Sequence, residues 1–441
     1  MSVTRPSGGA LARIRALAAT HAARRVLRRP QLRAVVGTAG VNVLITLVGS
    51  VGGLFLARVL GPTQRGDLVT ILLWPTMIGT VVSVGITEST CYWSSQRPDK
   101  ATAFMSTAAA ASLVTGLVVT ACAPWIASLI ARDSEVARYL TLVLALTPAY
   151  IAGGVWMSAL QAKRISRWNL TRSIQPLLYL FAIVSLWALR WLSLEAAVAV
   201  FAISLLLQTA YSAIAAHRIV GRHRRPDISL LRPLYSYGSK VMLAYTPQLI
   251  NIRVDQLVLS VMPSVAAAQL GNYAVAASLS WLALPASLAF GSVAFPRLAS
   301  ATDEAQARRI ERLSLLGAGF LAGASIGVIS ILAPAVVPTL FGKGYRDAVV
   351  ALWLLAPGTV FLALERVLGD LLQGRGQPLL RSIGEGGGAV ITVVLLFALI
   401  PRFGIRGAAI TSSIAYAATF FFLLWGLRRT RLRAPLGALE A

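Results

Sequence analysis

Hydrophobic positions along this chain form long unbroken runs divided by short polar turns. Runs of spanning length, which for a bilayer core means about 20 residues, fall near 34–57, 68–92, 104–130, 139–161, 170–189 and 195–216, then near 234–262, 267–295, 313–333, 348–372, 379–400 and 405–427. They are too long for strands and continuous enough for membrane helices. The pattern predicts an all-α integral membrane protein of about twelve transmembrane helices. A polar, Arg-rich stretch at 217–233 divides the runs into two sets of six. Because six is even, both sets enter the membrane from the same side, so a repeat relating them would be parallel, about an axis along the membrane normal. Two echoes fit such a repeat. GPTQRGDLVTI from Gly61 resembles VAAAQLGNYAVA from Val265, and SALQAKRISRWNL from Ser158 resembles DLLQGRGQPLLRS from Asp370. The expected organisation is a basic amphipathic arm (1–33), a first lobe (34–216), a linker (217–233), a second lobe (234–427) and a basic tail (428–441), with the two six-helix lobes facing a central cleft.

Composition narrows the class. Of 441 residues 56% are hydrophobic and 13% charged, which excludes a soluble domain of this size. The net charge of +25 does not point to nucleic acid, because the cations sit between apolar runs and form no single patch with interleaved aromatics. Topology accounts for them. With the N-terminus in the cytoplasm, about 28 Lys and Arg lie inside and about 9 outside, so both termini are expected to be cytoplasmic. Cys91 and Cys122 lie near opposite membrane faces and suit neither a disulfide nor a thiolate metal site. His21, His217 and His223 occupy basic loops and offer no ligand constellation.

Polar residues inside the apolar runs are the candidates for function, since each intramembrane charge costs roughly 2.5–3.5 kcal/mol on insertion scales. The run KVMLAYTPQLINIRVDQLVLSVM carries Lys240, Gln248, Asn251, Arg253 and Asp255, interrupted by Pro247. At 100° per residue Lys240, Gln248, Asn251 and Asp255 fall within roughly an 80° arc, with Arg253 nearly opposite. Such a stripe either lines a wet cavity or pairs with neighbouring helices, and the first reading is taken as the working expectation. The run from Ala351 adds Glu365, Arg366 and Asp370. Arg366 and Asp370, four apart, can pair on one face, while Glu365 points about 100° away. In the first run Asn42, Thr46, Gly49, Ser50 and Gly53 share a stripe that suits close helix packing. Arg58 ends that run, placed either to snorkel to headgroups or to hold an anion. Glu88 suits an interfacial cap. No phosphate loop, HExxH helix or nucleophile elbow occurs, so no enzyme is expected.

Three segments resemble one family: LARVLGPTQRGDL from Leu56, RVDQLVLSVMPSVAAAQLGNYAVA from Arg253, and the tract from FGKGYRDAVVALWLLAP through LLQGRGQP to LIPRFGIRGAAITSSIAY. They are similar to the oligosaccharide flippases (Wzx-type, polysaccharide transporter family) of the multidrug/oligosaccharidyl-lipid/polysaccharide exporter (MOP) superfamily, over nearly the whole chain after the arm. The resemblance implies two six-helix lobes in a bacterial plasma (inner) membrane. It implies alternating access that moves a polyprenyl-diphosphate-linked saccharide outward, alongside membrane lipids and glycan polymerase or assembly proteins. No cofactor is implied beyond a proton or sodium gradient or the membrane potential. Cationic cavity residues would hold the diphosphate: Arg58 and Arg253 match the family motifs, as does Asp255, while Lys240, Gln248, Asn251 and Arg366 join the substrate set by burial. Asp255, Glu365 and Asp370 are the ion-coupling candidates. The alternatives are a flippase for the peptidoglycan lipid precursor, a drug or cation antiporter of the same superfamily, and a non-transporting scaffold of a glycan-assembly complex.

Overall fold

Glycines and prolines, more than loops, divide the spans. The computed structural model describes residues 30–222, 224–299, 301 and 303–431; the basic arm before residue 30, the tail after 431 and His223 lie outside them. Among the described residues there are thirteen α-helices and no strand. The first lobe holds α1 (Pro30–Val82), α2 (Ile86–Gln96), α3 (Ala101–Ile130), α4 (Ser134–Leu144), α5 (Thr147–Lys163), α6 (Ile165–Ala188) and α7 (Leu194–Ile219). Next come α8 (Leu231–Val261), α9 (Ala267–Leu282), α10 (Leu284–Ala299), α11 (Glu304–Phe341), α12 (Arg346–Gly374) and α13 (Pro378–Arg431).

Helix α1 has 53 residues and α13 has 54, about 80 Å each at 1.5 Å per residue, far beyond a hydrocarbon core of about 30 Å. Each therefore bends at a glycine. Gly61 (φ 74, ψ 174) breaks α1 and Gly404 (φ 55, ψ −132) breaks α13. Gly61 precedes Pro62, whose missing N–H suits the first turn of the helix that follows. Elsewhere three expected spans are cut. Val84 (φ 48) and Gly85 (φ 67) separate α1 from α2. Pro148 in the first turn of α5 and Pro285 in the first turn of α10 cannot continue the helices before them. Among the described residues eight helical segments, one of them α4 and α5 together, are long and apolar enough to cross a membrane, or nine if α9 and α10, bent by 43°, count as one span. The molecule is thus an all-α, multi-pass membrane protein. α8 lies outside that set because it carries the polar stripe.

The lobes meet along a seam at the end near Pro62. A Cβ on Gly66 would sit 1.9 Å from Ala267 O, and one on Gly271 would sit 2.0 Å from Pro62 O. The contact is reciprocal, with each glycine meeting the backbone of the other segment. Around it a buried apolar cluster joins Ala57, Val69 and Leu73 of α1 to Leu259, Leu270, Tyr345 and Leu352. Polar ties reinforce the seam. Tyr345 Oη donates to Ala57 O (2.9 Å), Trp74 Nε1 to Ser260 Oγ (2.8 Å), and Arg132 Nη2 to the carbonyls of Leu259 (3.0 Å) and Ser260 (3.1 Å).

At the opposite, basic end α8 leans on the first lobe. A Cβ on Gly85 would lie 2.3 Å from Gly238 O, so the break before α2 is what lets the two backbones touch. Trp93 Nε1 donates to Pro233 O (3.1 Å), and Tyr92 stacks on Tyr237 with centroids 4.0 Å apart. The second half of α8 turns to the second lobe, where Asn251 Nδ2 donates to Glu385 O (3.0 Å).

Candidate translocation cavity

A cavity of about 760 Å³ lies inside the first lobe and against α8. Its walls come from α1 (Thr80), the turn after it (Ser83), α2 (Thr87, Glu88), α5 (Tyr150, Ser158, Gln161), α6 (Trp168, Arg172, Gln175), α7 (Gln208, Thr209, Ser212) and α8 (Val241, Met242, Tyr245). The local sequence explains the shape. Thr80, Ser83 and Thr87 recur at three- and four-residue spacing and share one face across the break. Gly153 and Gly154 keep the α5 wall shallow, each facing a threonine across a gap that a methyl group would close.

The lining is mostly uncharged: hydroxyls, amides and three aromatic rings set among apolar side chains such as Ile45, Met157 and Leu205. Several groups are fixed by other contacts. Gln208 Nε2 donates to Thr171 O (3.0 Å) and Thr209 Oγ1 to Ala149 O (3.2 Å). Glu88 is exposed at the basic end, where it accepts from Thr87 Oγ1. Arg172 lies 4.1 Å over the Trp168 ring and donates to Thr38 O (3.2 Å), while its Nε is buried without a partner. Hydroxyls, amides and flat rings suit sugar hydroxyls and ring faces, and the volume falls within the range of pockets for small polar ligands.

The stripe expected to face a wet passage is divided among three places. Lys240 is exposed in a separate groove of about 380 Å³ with Tyr92, Arg232 and Tyr237. Gln248 is half-buried. Asn251 and Asp255 are buried inside the second lobe instead of lining the first-lobe cavity, because the second half of α8 packs on α13 and α9. Asn251 accepts from Thr392 Oγ1 (3.2 Å), and its carbonyl accepts from Tyr416 Oη (2.9 Å). Asp255 accepts from Tyr273 Oη (2.5 Å) and Gln256 N (2.7 Å). It borders a void of about 30 Å³, shared with Ser280, Thr359 and Tyr416. Arg253 lies 5.6 Å over the ring of Trp281, which lines the same void.

Two further expectations are corrected. Asp370 pairs with Arg381 (3.3 Å), not Arg366, and Arg381 also holds Glu385 (3.1 Å). Arg381 reaches in from the first turn of α13 across Gly369, where a Cβ would lie 2.9 Å from its Cδ. Arg366 stays half-buried, and Glu365 is buried with Oε2 unpartnered. Arg58 is exposed and donates to the carbonyls of Thr339 (2.9 Å) and Leu340, capping the end of α11. It strengthens the seam. Sequence reasoning missed Arg172 and the amide ring of Gln161, Gln175 and Gln208. The signal was present as amides inside apolar runs, but charge drew attention to α8 and α12.

A helical bundle in two lobes with a large first-lobe cavity is the frame of this multi-pass membrane protein. The solved structures agree on the fold. The inward-closed lipid II flippase MurJ superposes with a TM-score of 0.74 at 14% identity, covering 90% of this chain and 89% of that one. An inward-facing multidrug resistance MATE family transporter of the MOP superfamily gives 0.71 at 18%, covering 88% and 95%. An uncharacterized membrane protein of Methanocaldococcus jannaschii is 28% identical over 207 residues, 45% of this chain and 40% of that relative's own length. The model of the family described as "Polysaccharide biosynthesis protein" matches residues 55–350. The chain belongs to that family.

Proposed function

We propose that the protein carries a polyprenyl-diphosphate-linked saccharide across a bacterial plasma membrane, loading it from the cytoplasmic leaflet through the basic end and releasing it beyond the seam. The observation that carries this reading is the first-lobe cavity, whose wall sets hydroxyls, amides and rings among apolar side chains and holds only two charged ones, Glu88 and Arg172. A cavity of about 760 Å³ takes the saccharide and leaves the polyprenyl chain in lipid, so only the polar part needs enclosure. The positive-inside asymmetry orients the basic end to the cytoplasm. Asp255, held by Tyr273 next to a void large enough for one water or a bare monovalent cation, is the site where an ion gradient would act on α8. Glu365, Asp370 and Arg366 lie on α12, which packs on α13 and not on α8.

The test is depletion of the protein in its own host. Lipid-linked saccharide is expected to accumulate on the cytoplasmic leaflet, and Gln208→Ala and Arg172→Ala are expected to restore export by less than the wild type does. Uptake of a fluorescent cation by vesicles with no effect on glycan export would instead assign the cavity to drug transport. Normal export after depletion would leave a scaffold role.

A further inference from the structure

The break in the second apolar run puts a carboxylate into the wall of the first-lobe cavity. Val84 (φ 48) and Gly85 (φ 67) end one helix and begin α2, so Glu88 falls in a first turn, where the helix dipole favours a negative side chain. An unbroken helix would have no such terminus here. Glu88 is exposed and lines the cavity. Among the described residues it forms no ion pair. Thr87 Oγ1 donates to its Oε2 (2.5 Å), and among the described residues no hydrogen bond reaches Oε1.

Aromatic rings stand beside it. The ionisable groups that face Tyr150 are Glu88 and Tyr245, and all three line the cavity. Tyr150 is fixed twice over. Its hydroxyl shares a hydrogen bond with Thr80 Oγ1 (3.3 Å), and its ring lies on bare backbone at Gly79, where a Cβ would stand 2.8 Å from Cδ1. Thr87 is held in turn by α5, since a Cβ on Gly154 would stand 2.8 Å from its Cγ2. The other charge on the wall is turned to protein groups: Arg172 lies over the Trp168 ring and donates to Thr38 O (3.2 Å).

We infer that Glu88 selects saccharides without acidic groups, accepting sugar hydroxyls on its free carboxylate oxygen and turning uronates away. This rests on the function proposed above and narrows its cargo. An ionised carboxylate accepts hydrogen bonds and donates none. It therefore binds hydroxyls by charge-assisted hydrogen bonds and repels a second carboxylate. The neighbouring rings offer an apolar surface to the C–H face of a sugar whose edge hydroxyls reach Glu88. The diphosphate is common to every cargo of this class, so the wall discriminates through the saccharide. Selection of this kind uses the repulsive element as much as the attractive one.

The experiment uses the full chain in lipid nanodiscs, titrated with farnesyl-diphosphate-linked glucose and separately with farnesyl-diphosphate-linked glucuronic acid. The two probes differ only at C6, a hydroxymethyl against a carboxylate. The glucosyl probe is expected to bind about ten- to a hundredfold more tightly, the scale of a charged hydrogen bond made or left unmade. Glu88→Gln should weaken the glucosyl probe and strengthen the glucuronosyl one, bringing the ratio close to one, while Glu88→Asp should keep the preference. Tighter glucuronosyl binding in Glu88→Gln is a gain that a misfolded variant would not show. Equal affinity of the wild type for both probes, or an unchanged preference in Glu88→Gln, overturns the selection and leaves the flippase reading standing. Binding of neither probe overturns both.

Discussion

Single charges in this protein are decided by what reaches them, not by their position in a run. Asp370 and Arg366 sit four apart on α12, yet the partner Asp370 finds is Arg381, which arrives from the start of α13 and bridges on to Glu385. Arg381→Ala is expected to leave two carboxylates without their shared cation. Breaking a buried pair costs about 3–5 kcal/mol; with 20% and 32% exposure at Arg381 and Asp370 the loss should be nearer 2 kcal/mol, read as earlier thermal unfolding in detergent. Arg381→Lys should recover part of it. Arg172 belongs to the cavity, and its replacement by alanine is expected to cut export about tenfold with protein abundance unchanged. Equal export at equal abundance would remove it from the path. Neither arginine stood out in the sequence.

Helices here are defined as much by where they stop as by what they contain. The second apolar run was legible as one span, but it breaks at Gly85 so that α8 can touch backbone to backbone at Gly238. Gly85 also has φ 67, which a side chain enters at a cost of roughly 1–2 kcal/mol. Gly85→Ala adds a clash to that strain. A total loss of about 3 kcal/mol or more is expected, measured as folded yield in mild detergent, with Gly386→Ala, where a Cβ meets nothing within 4 Å, as the silent control. The breaks at Pro148 and Pro285 were readable from proline alone; the break at Gly85 was not, because its reason lies about 150 residues away in another helix. Hydropathy placed the apolar runs but could not see that α8 divides its loyalty, its first half on the first lobe and its second half on the second.

For the whole molecule, the seam and the cavity together define one access state. Cysteines placed at Thr80 or Gln208, with Cys91 and Cys122 replaced by serine, are expected to react with a membrane-impermeant maleimide in inside-out vesicles and not in intact cells. Labelling from the outer side alone would invert the proposed orientation. Gly66→Ala should force the seam apart, since its Cβ would stand 1.9 Å from Ala267 O, and the same cysteines should then become reactive from outside. Unchanged labelling in that variant would show that the lobes do not part along this line.

Hydrophobic periodicity and the placement of cations were enough, on their own, to determine a helical membrane protein with its basic side marked, because insertion energetics act on each segment separately. The family could be read from short motifs in order. Which polar residues share a cavity was decided only by tertiary structure. A helical wheel fixes the angle of a side chain on its own helix but not the helix that will face it. Asn251 and Asp255 of the α8 stripe thus became buried second-lobe contacts, while hydroxyls and amides scattered over five first-lobe helices converged on the cavity.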